Sequence, residues 1–215
     1  VRAFGPEKAA ARLEGSKVHS KNFMRRHGIP TADYEYFADY SLALNYVKKC
    51  SFPLVIKADG LALGKGVFIC HSLSDAEAAL KKLMLDGVFG ESGSVVVVEE
   101  FLTGREVTVL AFTDGKTIKC MPSSQDHKRA YDGDEGPNTG GMGAFAPSPY
   151  FTPELFAEAE KNIIIPTLKG LKADGIKYKG VIYFGLMLTS KGVKLIEYNA
   201  RFGDPEAEAV LPLLK

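Results

Sequence analysis

The sequence predicts an α+β fold, and three observations predict it. Short apolar runs, such as Pro53–Lys57 and Ser94–Leu102, have the length and composition of strands. Longer stretches rich in Ala, Leu, Lys and Arg, such as 7–26, carry helical spacing. The two kinds are mixed along the chain as helix, strand, loop, strand, helix. At 46% apolar and 25% charged residues, the 215-residue chain is that of an ordinary globular protein.

The elements follow in order. The first helix spans 7–26 and stops at Gly28-Ile29-Pro30. Ser41 is placed to cap a second helix reaching Lys49. Pro53–Lys57 reads as a buried strand, the glycine-rich loop Gly60–Gly66 follows, and Val67–Cys70 reads as its partner. Ser74 with Glu77 reads as a capping box for a helix ending near Asp86. Ser94–Leu102 is the next strand. Arg105–Phe112 and Lys116–Met121 flank Asp114-Gly115, a hairpin signal. The stretch 125–149 is rich in glycine and proline and lacks periodicity, as a long functional loop does. Pro153–Ala173 is a helix interrupted at Pro166. Gly180–Thr189 and Val193–Asn199 are the final strands, and Glu206–Leu214 is an apolar helical stretch. Both ends read as internal to a longer chain.

The charge balance narrows the partners. Lysine plus arginine number 27 and aspartate plus glutamate 26, for a net charge of +1. Such a surface offers no global field for nucleic acid, so an anion must be held by a local site. No apolar run approaches the ~20 residues of a membrane span. Cys50, Cys70 and Cys120 are scattered and odd in number, which reads as reduced thiols of a cytoplasmic protein.

Four local patterns carry candidate chemistry. The first is Lys57 followed by Gly60–Gly66 with Lys65. Backbone N–H groups of such a loop can converge on phosphate oxygens, and a lysine adds charge. Only three residues separate Gly60 from Gly64, and a strand follows, so this is no Walker A loop. A protein kinase loop would precede its strand lysine, and here Lys57 comes first. The loop is either a phosphate lid of another type or a solvated hairpin turn. The second pattern is Glu99-Glu100-Phe101-Leu102, which either presents backbone and acid to a nucleoside or merely ends a strand. The third is Glu197 and Asn199, two apart and so on one strand face, with hard oxygens suited to magnesium. Arg201 beside them could clamp a carboxylate or phosphate. The fourth is Asp126-His127-Lys128-Arg129 ahead of the glycine-rich 136–143, which permits close approach to a ligand.

In order, these pieces resemble the ATP-grasp superfamily. Within it, Phe4-Gly5-Pro6, Leu13-Glu14-Gly15-Ser16-Lys17, Lys57-Ala58-Asp59-Gly60-Leu61-Ala62, Gln125–Arg129, Gly136–Ala144 and Arg201-Phe202-Gly203-Asp204-Pro205-Glu206 resemble the glycinamide ribonucleotide synthetase family. The resemblance runs through essentially the whole chain. It implies an ATP-grasp fold, two α+β subdomains sandwiching ATP. Residues 1–32 would end an N-terminal domain, 33–102 form the lid subdomain, and 103–215 the central one. The parent chain's own N- and C-terminal domains would be partners.

The resemblance also implies roles. Lys17 and Lys57 would hold phosphates beneath the lid with Gly64, Lys65 and Gly66. Glu99, Glu100, Phe101 and Leu102 would be the adenine hinge and Glu106 the ribose acceptor. Arg129 and Asn138 would be further nucleotide contacts. Glu197 and Asn199 would bind magnesium or manganese. Asp126, Lys128, Gly140, Gly141, Arg201 and Asp204 would hold glycine or glycyl phosphate. Lys57, Lys65, Arg201 and Asp126 would serve catalysis. The implied reaction is ATP-dependent ligation of glycine to 5-phosphoribosylamine. Another ATP-grasp ligase or carboxylase is the alternative, as is an ATP-binding segment inactive without its missing domains.

Overall fold

The computed structural model describes residues 3–62, 65–127, 129–133 and 135–214, without the side chains of Arg129, Pro137 and Asn138. Gly64 and Lys128 therefore lie outside the described residues, as do the side chains of Arg129 and Asn138. The chain divides into two compact units. One comprises Glu14–Asn22 and Ala32–Leu102, the other Val1–Leu13, Phe23–Thr31 and Thr103–Lys215.

The expected first helix is two, α1 (Lys8–Gly15) and α2 (Lys17–Arg26). The break at Ser16 has a cause in hydrogen bonding. The Ser16 hydroxyl accepts from His19 N at 3.1 Å, and the Asp59 carboxylate accepts from Val18 N at 2.7 Å. Free N–H groups of a new helix start are satisfied there. Helix α2 ends at Gly28, with φ of 64°, and Ile29 N reaches back to Met24 O at 2.9 Å. That is a glycine C-cap of the Schellman type.

The unit holding 32–102 is a four-stranded antiparallel sheet backed by two helices. Its elements are β1 (Tyr34–Phe37), α3 (Tyr40–Val47), β2 (Leu54–Ala58), β3 (Val67–Cys70), α4 (Leu73–Met84) and β4 (Val96–Glu100), in sheet order β1-β4-β2-β3. Asp39, not Ser41, caps α3, accepting from Leu42 N. Ser72 and Asp75 form the capping box of α4, two residues ahead of the expected Ser74 and Glu77. Both spacings satisfy the same rule, and the box forms where the chain leaves β3. Strand pleating sorts the side chains. Leu54, Ile56, Ala58, Val96 and Val98 pack against Ala43, Val47, Ala76, Leu80 and Leu83. Val55, Lys57, Val97 and Glu99 therefore project from the opposite face.

The other unit is built on β5 (Arg105–Thr113), β6 (Ile118–Cys120), β7 (Gln125–Asp126), β8 (Arg129–Tyr131), β9 (Glu135–Asn138), β10 (Ala144–Phe145), α5 (Pro153–Ala159), α6 (Ile165–Ala173), β11 (Gly180–Thr189), β12 (Gly192–Asn199) and α7 (Glu206–Val210). Its main antiparallel sheet runs β12-β11-β5-β6. The stretch 125–149 is more regular than its sequence suggests. β7 pairs with β10 and β8 with β9, but strands this short display no period. Between α5 and α6 lies a π turn, Glu160–Ile164. Pro166 has no N–H to donate, and the wider turn accommodates the gap. The helix expected over 206–214 ends at Val210, and a 3₁₀ turn, Leu211–Leu213, follows.

One face of this sheet carries Val109, Ala111, Ile182, Phe184, Leu186, Leu195 and Tyr198 against Phe23, Met24, Ile163, Ile164 and Leu171. The other carries Leu110, Val181 and Tyr183 with Met121 and Val210. The β11–β12 register slips between Gly185 and Leu186, where Gly185 pairs with Glu197 and Leu186 with Leu195. Ile196 is the extra residue of a β-bulge. Without it, Glu197 and Asn199 would share the core face of Leu195. With it, Tyr198 takes the core position, and Glu197 and Asn199 turn to the face of Tyr183.

Candidate nucleotide and acyl-phosphate site

In the 32–102 unit the site is built around Glu99. Its neighbours across the sheet are Tyr34 on β1 and Val55 on β2. Lys57 Nζ donates to Glu99 Oε2 at 3.0 Å, and Lys21 Nζ from α2 reaches the same oxygen at 3.1 Å. All three side chains are buried, at 7%, 3% and 4% exposed for Lys57, Lys21 and Glu99. Burial pushes the Glu99 carboxyl up, but Lys57 and then Lys21 outweigh it and hold the group below the usual glutamate value. Among the described residues Glu99 Oε1 is buried without a hydrogen-bond partner. The acidic pair of the sequence thus splits. Glu99 lies inside with two cations, while Glu100 is exposed and its carboxylate accepts from Asp33 N at 3.4 Å. Phe101 and Leu102 are half-buried just beyond β4.

Lys17 and the glycine-rich loop meet at Asp59 and Gly60. Ser16 Oγ donates to the Asp59 carboxylate at 2.9 Å, Lys17 N donates to Asp59 O at 3.0 Å, and Lys17 Nζ donates to Gly60 O at 3.2 Å. Asp59 so ties the start of α2 to the loop's first turn. The loop is a β2–β3 hairpin, closed by Ala58 N on Gly66 O at 2.8 Å. A Cβ at Gly60 would meet the Ser92 side chain, and one at Gly66 would meet Ala62 Cβ. Glycine is required at both by close approach. Lys65 is exposed on the loop.

In the other unit a polar group forms on the bulge-selected face. Tyr183 Oη donates to Glu206 Oε1 at 2.8 Å, and Thr108 Oγ1 donates to Tyr183 Oη at 2.9 Å. Glu206 is 3% exposed. Burial, then the Glu206 charge, pushes the Tyr183 phenol well above its usual value, and Glu197 and Asp126 add to the push. Four groups, Tyr183, Glu206, Glu197 and Asp126, therefore share one electrostatic neighbourhood. Asn199 pairs with Tyr183 across the sheet, and Glu106 is exposed on the same face of β5. Gly141, at φ of 123°, packs on Pro205 where a Cβ would not fit, which brings it to Asp204. Gly140 is exposed beside it, and the Arg201 guanidinium donates to Phe202 O at 2.9 Å.

The sequence pattern assigned no role to Lys21, Asp59, Tyr183, Thr108 or Glu206, which the structure places among these groups. Two signals were available. Lys21 follows Lys17 by four residues, which puts both on one helix face, and Glu206 closes the Arg-Phe-Gly-Asp-Pro-Glu block.

The family model described as phosphoribosylglycinamide synthetase, ATP-grasp (A) domain, matches residues 15–207. The chain is 51% identical over its whole length to the phosphoribosylamine–glycine ligase of Clostridium acetobutylicum, covering 52% of that protein. It is equally 51% identical to the bifunctional purine biosynthetic protein ADE1 of Schizosaccharomyces pombe, covering 27% of it. The crystal structure of phosphoribosylamine–glycine ligase from Thermotoga maritima superposes with a TM-score of 0.89 at 42% identity, over 98% of this chain and 53% of that one. The chain thus spans about half the length of the single-function ligase and less of the fused protein. With the glycine hairpin, the lysines beside it and the Glu-x-Asn strand in place on this fold, the chain belongs to the phosphoribosylglycinamide synthetase ATP-grasp (A) domain family.

Proposed function

We propose that this chain binds ATP with magnesium and serves the ligation of glycine to 5-phosphoribosylamine. The observation that carries the reading is the arrangement at the β2–β3 hairpin. Lys57 precedes the glycine-rich loop and is paired to Glu99, while Lys17 is hydrogen-bonded to the loop's first glycine. Cations at the root of a hairpin that demands glycine are suited to phosphate oxygens. The choice of glycine and phosphoribosylamine as substrates comes from the relatives' names, and their whole lengths carry that activity.

Magnesium fits the donor set at Glu197 and Asn199, a carboxylate and an amide carbonyl on one strand face. Among the described residues no group of three or more His, Cys, Asp or Glu could hold a metal. Magnesium is commonly held through one or two protein oxygens and otherwise through phosphates and water, so the Glu197 and Asn199 oxygens suffice for it. When bound, it neutralises phosphate charge.

The chain's own groups do the rest by positioning and charge. Glycine carboxylate attacks the γ-phosphate of ATP, giving glycyl phosphate and ADP. The phosphoribosylamine amine then displaces phosphate to give the amide. Lys17, Lys57 and Lys65 offset charge on the phosphates as ADP leaves. Gly64 and Gly66 let the loop approach them. The backbone of Glu100–Leu102 faces the adenine and Glu106 the ribose, with Arg129 and Asn138 as further nucleotide contacts. Asp126, Lys128, Arg201, Asp204, Gly140 and Gly141 hold glycine and its phosphate.

The test is ADP release from Mg-ATP in the presence of glycine and phosphoribosylamine, with bicarbonate replacing glycine as control. The reading expects release with glycine and none with bicarbonate. Release with bicarbonate instead would point to a carboxylase, and binding of Mg-ATP without release under any condition would leave a nucleotide-binding module.

A further inference from the structure

Lys21 has no part in the chemistry above, yet it is the most buried cation of the Glu99 cluster. Its ammonium shares Glu99 Oε2 with Lys57, at 3.1 and 3.0 Å, and lies 5.6 Å from the Tyr34 ring centroid. One lysine would already neutralise one carboxylate. The second ammonium, on the same buried carboxylate oxygen, duplicates that compensation. The arrangement has a use if one of the two cations must leave. Lys57 is the one placed to do so, because it stands at the end of β2 ahead of the glycine loop. Lys21 is one turn beyond Lys17 on α2 and is held there by the helix. Among the described residues Glu99 Oε1 has no hydrogen-bond partner, so a Glu99 held by Lys57 alone would be left an uncompensated buried carboxylate once Lys57 turned away.

We propose that Lys21 is a positioning residue that keeps Glu99 neutralised, so that the Lys57 ammonium can turn from Glu99 onto a phosphate of the bound nucleotide. The inference rests on the nucleotide-binding reading above and deepens it. Lys21 acts through Glu99 and does not touch the ligand.

The experiment measures ADP and adenosine binding by calorimetry, with magnesium, in the unaltered protein, Lys21→Met, Glu99→Gln and the double variant. Lys21→Met is expected to bind ADP about tenfold more weakly with adenosine affinity unchanged, since only the phosphate contact is lost. In the Glu99→Gln background the same change should cost less than about threefold, because no buried anion remains to be neutralised. Undiminished ADP affinity in Lys21→Met would overturn the proposal. So would an equal loss for adenosine, or a loss of the same size in both backgrounds. If Lys21→Met alone does not fold, Glu99→Gln against the double variant decides it: matched ADP affinities support the proposal, and a further tenfold loss sinks it. An unaltered protein that binds no ADP would overturn the nucleotide reading itself. Binding that Lys21→Met leaves intact would remove only the role given to Lys21.

Discussion

Glu99 shows what a single side chain contributes. Its carboxylate is buried with two ammonium groups, and its folded-state pKa lies below the usual glutamate value despite desolvation. A depressed pKa means that the folded protein binds the proton more weakly than the unfolded chain does. The stabilisation is therefore complete above the unfolded value of about 4.3 and is lost as pH falls through the lower folded value. Urea unfolding across that acid range should show the unaltered protein losing stability more steeply than Glu99→Gln. Glu99→Ala at neutral pH should cost on the order of 3 kcal/mol, because two buried cations lose their anion. At Glu197 the expectation concerns activity rather than stability. Glu197→Ala should abolish magnesium-dependent ADP formation while the melting temperature stays close to that of the unaltered protein, since Glu197 is only half-buried. Unchanged ADP formation would remove the metal role.

Elements explain which placements could be read from the sequence. The β2 run, the glycine loop and the final strand pair were legible because their spacing differs from that of a helix. The Glu197–Asn199 pairing was legible too, since two residues apart share a face. Which face they share was not, because the Ile196 bulge is a property of pairing with β11 and leaves no local mark. Glu99 was equally hidden. In the sequence it is one of two adjacent acids, and only the alternation of β4, combined with α2 passing overhead with Lys21, buries one of them. The N-caps of α3 and α4 each stand two residues ahead of the expected position because several Ser and Asp fit the rule, and tertiary exit points decide among them. The break between α1 and α2 has the same origin, since its cap comes in part from Asp59, far along the chain. Asp59→Ala should cost about 1 kcal/mol of stability through the lost cap. It should also raise the KM for ATP, because Lys17 and Gly60 would no longer be held in register. Asp59→Asn keeps an acceptor for Val18 N and should recover part of both, as chemical unfolding and steady-state kinetics would reveal.

At the scale of the molecule, two units each carry a core of their own, and candidate groups are present in both. Among the described residues no helix is long and apolar enough to cross a membrane. The thiols are free, and burial pushes Cys70 and Cys120 up to about 11. Nucleotide binding should stabilise the folded chain by mass action, by about 2.7 kcal/mol at a hundred times the Kd. For a chain of this size each 1 kcal/mol raises the melting temperature by about 2–4 °C. Mg-ADP should give that shift in the unaltered protein and little of it in the Lys57→Met variant.

Amide hydrogen exchange with and without Mg-ADP tests the central claim, that the nucleotide's phosphates sit on the β2–β3 hairpin. The account predicts slowed exchange in peptides from β2, from residues 65–70 and from Glu99–Leu102, with peptides from α3 and α4 unchanged. Binding that leaves the hairpin's exchange untouched, or that protects α3 and α4 instead, would contradict it.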